Sequence, residues 1–470
     1  MKVSRDTQQL QKTQYRGSSA ENRLESEGKQ GAHRVSPATE NRDTNVLAYG
    51  TLERILAREN MLQAYARVVS NKGSHGVDKM EVYELKQFLQ SNWLTIKEQL
   101  IQGTYKPKPV RRVEIPKPDG GVRLLGIPTV LDRLIQQAIA QELTLIFDED
   151  FSRSSYGFRR FISAHDAVLQ ANPSISEGYR WVVDIDLEKF FDKVNHDILM
   201  SRVARKIKDK RVLKLIRLYL QSGIMANGVI VRSEEGTPQG GPLSPLLANI
   251  ILDDLDKELE RRGHKFCRYA DDCNIYVRSE RAGQREMKSI TVFIENKLKL
   301  KANKEKSAVD RPWKRKFLGF SFYITKGKSG IRISPKSLQR FKKKIKHFTS
   351  RSYSISIEDR ISKLNQVIIG WVNYYGKLAD AKWILKDMDE WIRRRLKMCI
   401  WKQWKRVRTR YSNLRKLGVP KHKALEYSNT RKGYWCISIS PILTTTLNNQ
   451  FFDGIKLKSL SAQYAKIHYS

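Results

Sequence analysis

Residues Lys265-Phe266-Cys267-Arg268-Tyr269-Ala270-Asp271-Asp272-Cys273-Asn274-Ile275-Tyr276-Val277 read as two strands, Lys265–Tyr269 and Asn274–Val277, folded about an acidic tip. Adjacent carboxylates at such a tip repel one another and lose hydration, and a divalent cation removes both penalties. An Asp-Asp pair also suits an ordinary turn, so the tip alone does not decide its role. A second acidic element lies upstream. Trp181-Val182-Val183-Asp184-Ile185-Asp186 reads as a buried strand ending in carboxylates, where Asp184 and Asp186 compete for the same part.

Two further segments surround these acids. Gly236-Thr237-Pro238-Gln239-Gly240-Gly241-Pro242-Leu243-Ser244-Pro245 is a loop whose glycines admit close backbone approach, and Gln239 offers a donor and an acceptor to a nucleotide. Its last residues open a helix over Leu246–Arg262, closed by Gly263. Upstream, strand-like Val110–Ile115 and Val122–Leu125 flank Pro118-Asp119-Gly120-Gly121, a β-hairpin that carries Lys117 and Arg123 as cations for a triphosphate. Oxygen donors suit Mg²⁺, and two such ions about 3.5–4 Å apart clamp the attacking and leaving oxygens of phosphoryl transfer.

In this order, basic hairpin, strand-Asp, Gly-Gln loop and Asp-Asp hairpin, the chain resembles the reverse transcriptase/maturase encoded by group II introns. The likeness runs from about Leu52 to near the C-terminus. It implies an α+β right-hand polymerase with fingers, a palm with an antiparallel sheet and a helical thumb, followed by a small basic C-terminal DNA-binding module. Tyr269-Ala270-Asp271-Asp272 matches the family's catalytic hairpin. In the first catalytic strand the family has an aromatic five residues after the metal ligand, often followed by Asp. Asp186 with Phe191 and Asp192 fits that spacing, and Asp184 does not. The resemblance therefore implies Asp186 and Asp271 as metal-bridging catalytic residues, Asp272 in support, and a further metal position at Leu187. It implies two Mg²⁺ per active site, replaceable by Mn²⁺. It also implies dNTP contacts at Lys117, Arg123, Gln239, Gly240 and Lys306, with Phe191 as the steric gate against a ribose 2′-OH. Phe317-Leu318-Gly319-Phe320 resembles the primer-grip hairpin, and Leu364–Tyr375 the thumb motif that retroviral polymerases lack.

Composition agrees with a polyanionic partner. The 470 residues carry 88 Lys and Arg against 49 Asp and Glu, a net charge of +39, while 40% are hydrophobic, enough for sizeable cores. No apolar run reaches the ~18 residues of a membrane span. The N-terminus has no hydrophobic secretion segment. Cys267, Cys273, Cys399 and Cys436 form no paired Cys-x-x-Cys set, which speaks against a disulfide framework and for a reducing cytoplasm; the resemblance implies that of a bacterium or its nucleoid. Residues 331–470 hold 31 basic and 8 acidic residues, +23 of the +39. Three helices are expected there, Lys336–Phe348, Glu358–Tyr375 and Ala381–Arg406, with tryptophans at helical spacing as bundle core. Lys342-Lys343-Lys344, Arg393-Arg394-Arg395, Lys405, Arg406, Arg408 and Arg410 lack balancing acids and are expected on phosphate backbone.

The expected division is a disordered polar tail (1–45), fingers (46–165), palm (166–330), thumb/maturase (331–402) and DNA-binding domain (403–470). Only His422 and His468 lie beyond residue 347, so the likeness is to the endonuclease-lacking branch of the family, for which no second-strand nicking is expected. The expected activity is reverse transcription of intron RNA by two-metal nucleotidyl transfer, with binding of that RNA to assist splicing and mobility. Its partners would be structured intron RNA, a DNA primer or target, and dNTPs, without a membrane. A stand-alone bacterial reverse transcriptase of a defence or other retroelement system, and a splicing-only maturase, remain open; the intact Asp186, Asp271, Asp272, Gln239 and Lys117 speak against the second. Two departures from the family are local and fall in loops: Arg160-Phe161-Ile162 stands where Pro-Gly-Arg is usual, and His75 stands where Pro is common.

Overall fold

The computed structural model describes residues 49–117, 120–226, 229–231, 235–237 and 239–469. The chain forms two compact units. The first runs to Ala171 and resumes from Tyr179 to Asp310; the second comprises Asn172–Gly178 and everything from Arg311.

The first unit starts with helices α1 (Leu52–Ile55), α2 (Arg58–Asn71) and α3 (Leu85–Gln102). The expected hairpin follows as β1 (Val110–Pro116) and β2 (Val122–Ile127), antiparallel with Ile115 opposite Arg123. Next come α4 (Val130–Phe147), α5 (Ala164–Ser176), β3 (Trp181–Ile185), α6 (Phe190–Lys193), α7 (His196–Lys206) and α8 (Lys210–Leu220). The short strands β4 (Ile224–Ala226) and β5 (Val229–Val231) complete a four-stranded sheet of order β2-β1-β4-β5.

Helix α9 (Ser244–Arg261) begins with Pro245 in its first turn and stops before Gly263, which adopts φ 72°. It leads into β6 (Lys265–Tyr269) and β7 (Asp272–Val277), then α10 (Glu280–Phe293) and β8 (Ala308–Asp310). The second sheet has the order β6-β7-β3-β8. β3 is an inner strand, paired antiparallel with both β7 and β8, which explains the apolar run Trp181-Val182-Val183. Asp272 belongs to β7, so the turn proper is Ala270-Asp271. One apolar core joins α1, α4, α7, α8, α9 and this sheet.

The second unit opens with the hairpin β9 (Phe320–Thr325) and β10 (Lys328–Ile333). The three expected helices are α11 (Pro335–Phe348), α12 (Ile357–Tyr375) and α13 (Lys382–Gln403). Shorter helices follow: α14 (Val407–Lys416), α15 (Lys421–Ser428), α16 (Tyr434–Ile437), α17 (Pro441–Thr446), α18 (Asn449–Gly454) and α19 (Leu460–Tyr469). The last returns to the long helices. Asn365 on α12 accepts from Lys458 N at 2.8 Å and donates to Lys456 O at 2.7 Å. Asp389 on α13, 4% exposed, caps α19 by accepting from Leu460 N and Ser461 N at 2.7 and 2.9 Å, and from both Ser459 and Ser461 hydroxyls at 2.7 Å. Trp401 is fully buried as expected, whereas Trp383 is 75% exposed. Phe317 and Phe320 exchange both main-chain hydrogen bonds, at 3.0 and 2.9 Å, around Leu318-Gly319, and Tyr374 on α12 donates to the Leu318 carbonyl at 2.8 Å. Among the described residues no helix is long and apolar enough to cross a membrane.

Candidate active site

Register delivers the two aspartates to one place. Ile185 lies opposite Cys273, so the end of β3 carries Asp186 to the β6–β7 turn. The backbone there is clamped to the 301–307 segment: Asp186 N donates to Ser307 Oγ at 3.1 Å, Asn303 N to Asp186 O at 2.8 Å, and Glu188 N to Lys301 O at 2.8 Å. Lys306 Nζ stands 3.4 Å from Asp186 Oδ1. Asp271 is half-buried. Burial pushes its carboxyl above the usual carboxylate range; its own backbone N–H pulls it down, the Asp186 charge pushes it up again, and Arg123 and Lys306 pull it down. The Asp271 carboxyl thus feels the charges of Asp186, Arg123 and Lys306, and Lys306 itself stands beside Asp186.

Asp272 is exposed, opposite Tyr269. Leu187 is buried and bridges to Ala302, and its only possible donor atom is its main-chain carbonyl. Among the described residues no group of three or more His, Cys, Asp and Glu stands ready to hold a metal. Two hard carboxylates nevertheless fit Mg²⁺, which is held by one or two carboxylates and completed by water and substrate phosphates.

The nucleotide side is built from three segments. Lys117 and Arg123 are exposed on the β1–β2 hairpin, where Lys117 N donates to Gly121 O at 2.9 Å; Pro118 and Asp119 lie outside the described residues. Gly126 N on β2 donates to the Gln239 carbonyl at 2.8 Å, and a side chain at Gly240, whose φ is 124°, would meet Gly126 O at 2.8 Å. Phe191 is half-buried, edge-on to Phe190 at 5.1 Å, and its carbonyl accepts from Thr237 N at 2.6 Å. The Gly-Gln loop is thus stitched to Phe191 on one side and to the cationic hairpin on the other. Pro238 lies outside the described residues.

Beneath the turn is a charged group that the motif does not mark. Arg268 and Asp256 are both 0% exposed and paired through two hydrogen bonds. A cation in the otherwise apolar inward run of β6 was its signal.

The basic residues of the second unit fall into two groups. Lys342, Lys343 and Lys344 on α11, and Lys405, Arg406 and Arg408, are exposed. The three residues Arg393–Arg395 are half-buried: Arg394 lies 3.8 Å over Trp435, and Arg395 donates to Thr349 Oγ1 at 2.5 Å. Arg410 packs over Trp401 and donates to Trp404 O at 3.0 Å. Arg394, Arg395 and Arg410 thus have partners within the fold, while the first group stands on the surface.

Residues 115–322 match the family model for reverse transcriptase (RNA-dependent DNA polymerase), so the mixed helix-and-sheet region holding Asp186 and Asp271 is a reverse transcriptase domain of the right-hand polymerase class. Residues 338–418 match the group II intron maturase-specific domain. The chain is 33% identical over 299 residues to Protein YkfC of Escherichia coli (strain K12), a match that covers 55% of this chain and 78% of that protein. It is 30% identical over 347 residues to the group II intron-encoded protein LtrA of Lactococcus lactis subsp. cremoris, covering 58% of this chain and 56% of that one. A chain of a solved Cas6-RT-Cas1–Cas2 complex is similar at 28% identity with a TM-score of 0.35, over 57% of this chain and 46% of that chain. The chain belongs to the family of group II intron reverse transcriptase/maturases.

Proposed function

We propose that this protein copies RNA into DNA, that Asp186 and Asp271 hold two Mg²⁺ with Asp272 in support, and that it binds its intron RNA to assist splicing and mobility. The supporting observation is that the register of β3 against β7, with Ile185 opposite Cys273, brings Asp186 at the end of one strand to the turn that carries Asp271, with Lys306 Nζ 3.4 Å from Asp186. When bound, the metal would polarise the dNTP phosphates and acidify the primer 3′-OH. The chain's own groups do the rest. Arg123 and Lys117 meet triphosphate charge from the hairpin, the Gly-Gln loop lets the nucleotide approach backbone, and Phe191 sets the width of the pocket at the sugar. Lys306 is placed to neutralise or protonate the departing pyrophosphate. In this reading residues 46–165 are fingers, 166–330 palm, 331–402 thumb and 403–470 the DNA-binding module, with exposed Lys342–Lys344, Lys405, Arg406 and Arg408 on phosphates. The maturase-specific match supports the intron RNA as partner.

Extension of a DNA primer on an RNA template tests it. Asp271→Ala is expected to lower nucleotide incorporation by about 10³-fold or more, because several kcal/mol of charge stabilisation goes with the metal. Ample cDNA from that variant would overturn the assignment. A splicing reaction with the cognate intron at low Mg²⁺ separately reads the maturase role.

A further inference from the structure

The guanidinium of Arg268 has five N–H donors, and all five are used. Nε and Nη2 donate to the two carboxylate oxygens of Asp256 at 2.6 and 2.5 Å. Nη1 donates to Asn249 Oδ1 at 3.1 Å and to the Ala270 carbonyl at 3.0 Å, and Nη2 also donates to Ser155 Oγ at 2.7 Å. Asp256 and Asn249 come from α9, and Ser155 from the segment before α5. A buried ion pair is a poor device for stability alone, since apolar residues of like size do as well or better. What this one adds is direction, through a planar fork whose bonds fix an orientation that a point charge cannot.

The bond to Ala270 has a particular consequence. Ala270 adopts φ 57°, a left-handed conformation that L residues other than glycine, asparagine and aspartate rarely take. Its carbonyl belongs to the peptide unit that joins Ala270 to Asp271. Holding that oxygen fixes the peptide plane and with it the direction in which Asp271 leaves the turn. The other side of the turn is fixed by contact: a Cβ on Gly157 would lie 2.3 Å from Ala270 N, and Asn249 Nδ2 holds the Gly157 carbonyl at 2.8 Å. Main-chain bonds continue the splint, with Arg268 N donating to Ser154 O at 2.8 Å and Tyr156 N to Arg268 O at 2.9 Å.

From this geometry we infer that Arg268 is a positioning residue for nucleotidyl transfer, which acts through the Ala270–Asp271 peptide to set the Asp271 carboxylate against Asp186. The inference rests on the polymerase reading above. Substrate does not touch Arg268, so its loss falls on turnover and on metal capture while template–primer binding stays.

The experiment uses the full chain with an RNA template, a dideoxy-terminated or extendable DNA primer, and Mn²⁺ as a spectroscopic probe. Arg268→Lys keeps the charge and loses the fork. Its kcat for single-nucleotide addition is expected to fall about 10²-fold, as for a reacting group displaced by about 1 Å. Template–primer Kd and dNTP KM stay near wild type, and the Mn²⁺ midpoint by electron paramagnetic resonance moves to higher concentration. Gly157→Ala pushes the turn from the opposite side without touching the ion pair, and is expected to give the same kcat and Mn²⁺ signature in a protein that still folds but melts at a lower temperature. A folded Arg268→Lys protein with wild-type kcat and Mn²⁺ midpoint would overturn the inference. So would a kcat loss matched by the loss of folded protein, with the Mn²⁺ midpoint unmoved. Should Arg268→Lys not fold, a wild-type-like Gly157→Ala protein overturns it as well. A wild-type protein that extends no primer breaks the polymerase reading instead, and the Mn²⁺ midpoints still report whether the turn has moved.

Discussion

Arg268 under the catalytic turn and Lys342–Lys344 on α11 carry the same sign of charge and stand in opposite surroundings. Arg268 is sealed from water, every donor committed to a named acceptor within the first unit. The three lysines are exposed on a helix of the second unit, with no acidic residue in its sequence. Between these extremes are Arg394 and Arg395, half-buried against Trp435 and Thr349. A net charge of +39 therefore sums two kinds of cation, those that complete the fold and those free to meet phosphate. Only the second kind should answer to salt.

The largest expected break in this comparison is Asp256→Ala, which strands the Arg268 charge in the interior. Removing one member of a buried pair costs about 3–5 kcal/mol, so its denaturation midpoint should drop sharply at any ionic strength. Replacing Lys342, Lys343 and Lys344 together by Ala should leave the melting temperature nearly alone. What changes is the slope of log Kd for template–primer against log salt concentration, which should flatten by about 2–3 at roughly 0.7–0.9 per phosphate contact. An unchanged slope would remove these lysines from the nucleic-acid face.

The smallest effect sharpens the buried case by contrast, on the same helix as Asp256. Glu258 is drawn from the usual 4.5 to about 2, chiefly by hydrogen bonds from Arg261 and then Arg262. Its folded value lies below its unfolded one, so its contribution is full above about 4.5 and is lost as the pH falls toward about 2. Arg261 is largely exposed, so Glu258→Gln should cost only about 0.2–1 kcal/mol near neutral pH. Thermal melts of the two proteins should converge near pH 2.

Local pattern was enough to read the elements that hold the site. The hairpin of Lys117 and Arg123, the Asp186 strand, α9 and the three long helices all carry their own periodicity or turn residues, and each forms within a few residues of its expected limits. What escaped was pairing over distance. Arg268 reads as one more cation among 88 until Asn249, Asp256 and Ser155 are seen to converge on it, although Asn249 and Asp256 already sat on the apolar side of α9. Gly157 likewise looks like loop filler until the backbone of Ala270 is found where its side chain would be. The Arg393-Arg394-Arg395 run makes a related point: aromatic faces and a threonine hydroxyl receive Arg394 and Arg395 as an acid would, and a count of acids does not see them. The two units part at Asp310–Arg311, and the β9–β10 hairpin goes with the second, where Phe320 packs on Tyr374 and Tyr375 and Asp380 N donates to Ile331 O.

The clasp of Asn365 on Lys456 and Lys458, and of Asp389 on the start of α19, changes what residues 404–455 are. They form a closed excursion, leaving the bundle at the end of α13 and returning to it at Lys456, with both feet planted on the same scaffold. A segment held at both ends has already surrendered the entropy of bringing them together, so its small helices begin from a restricted set of paths. It follows that cutting away residues 457–469 would do more than shorten a tail. It would leave the Asp389 carboxylate without its four donors, uncover one side of α12 and α13, and loosen the returning end of the excursion, while Arg394 over Trp435 still ties its middle to α13.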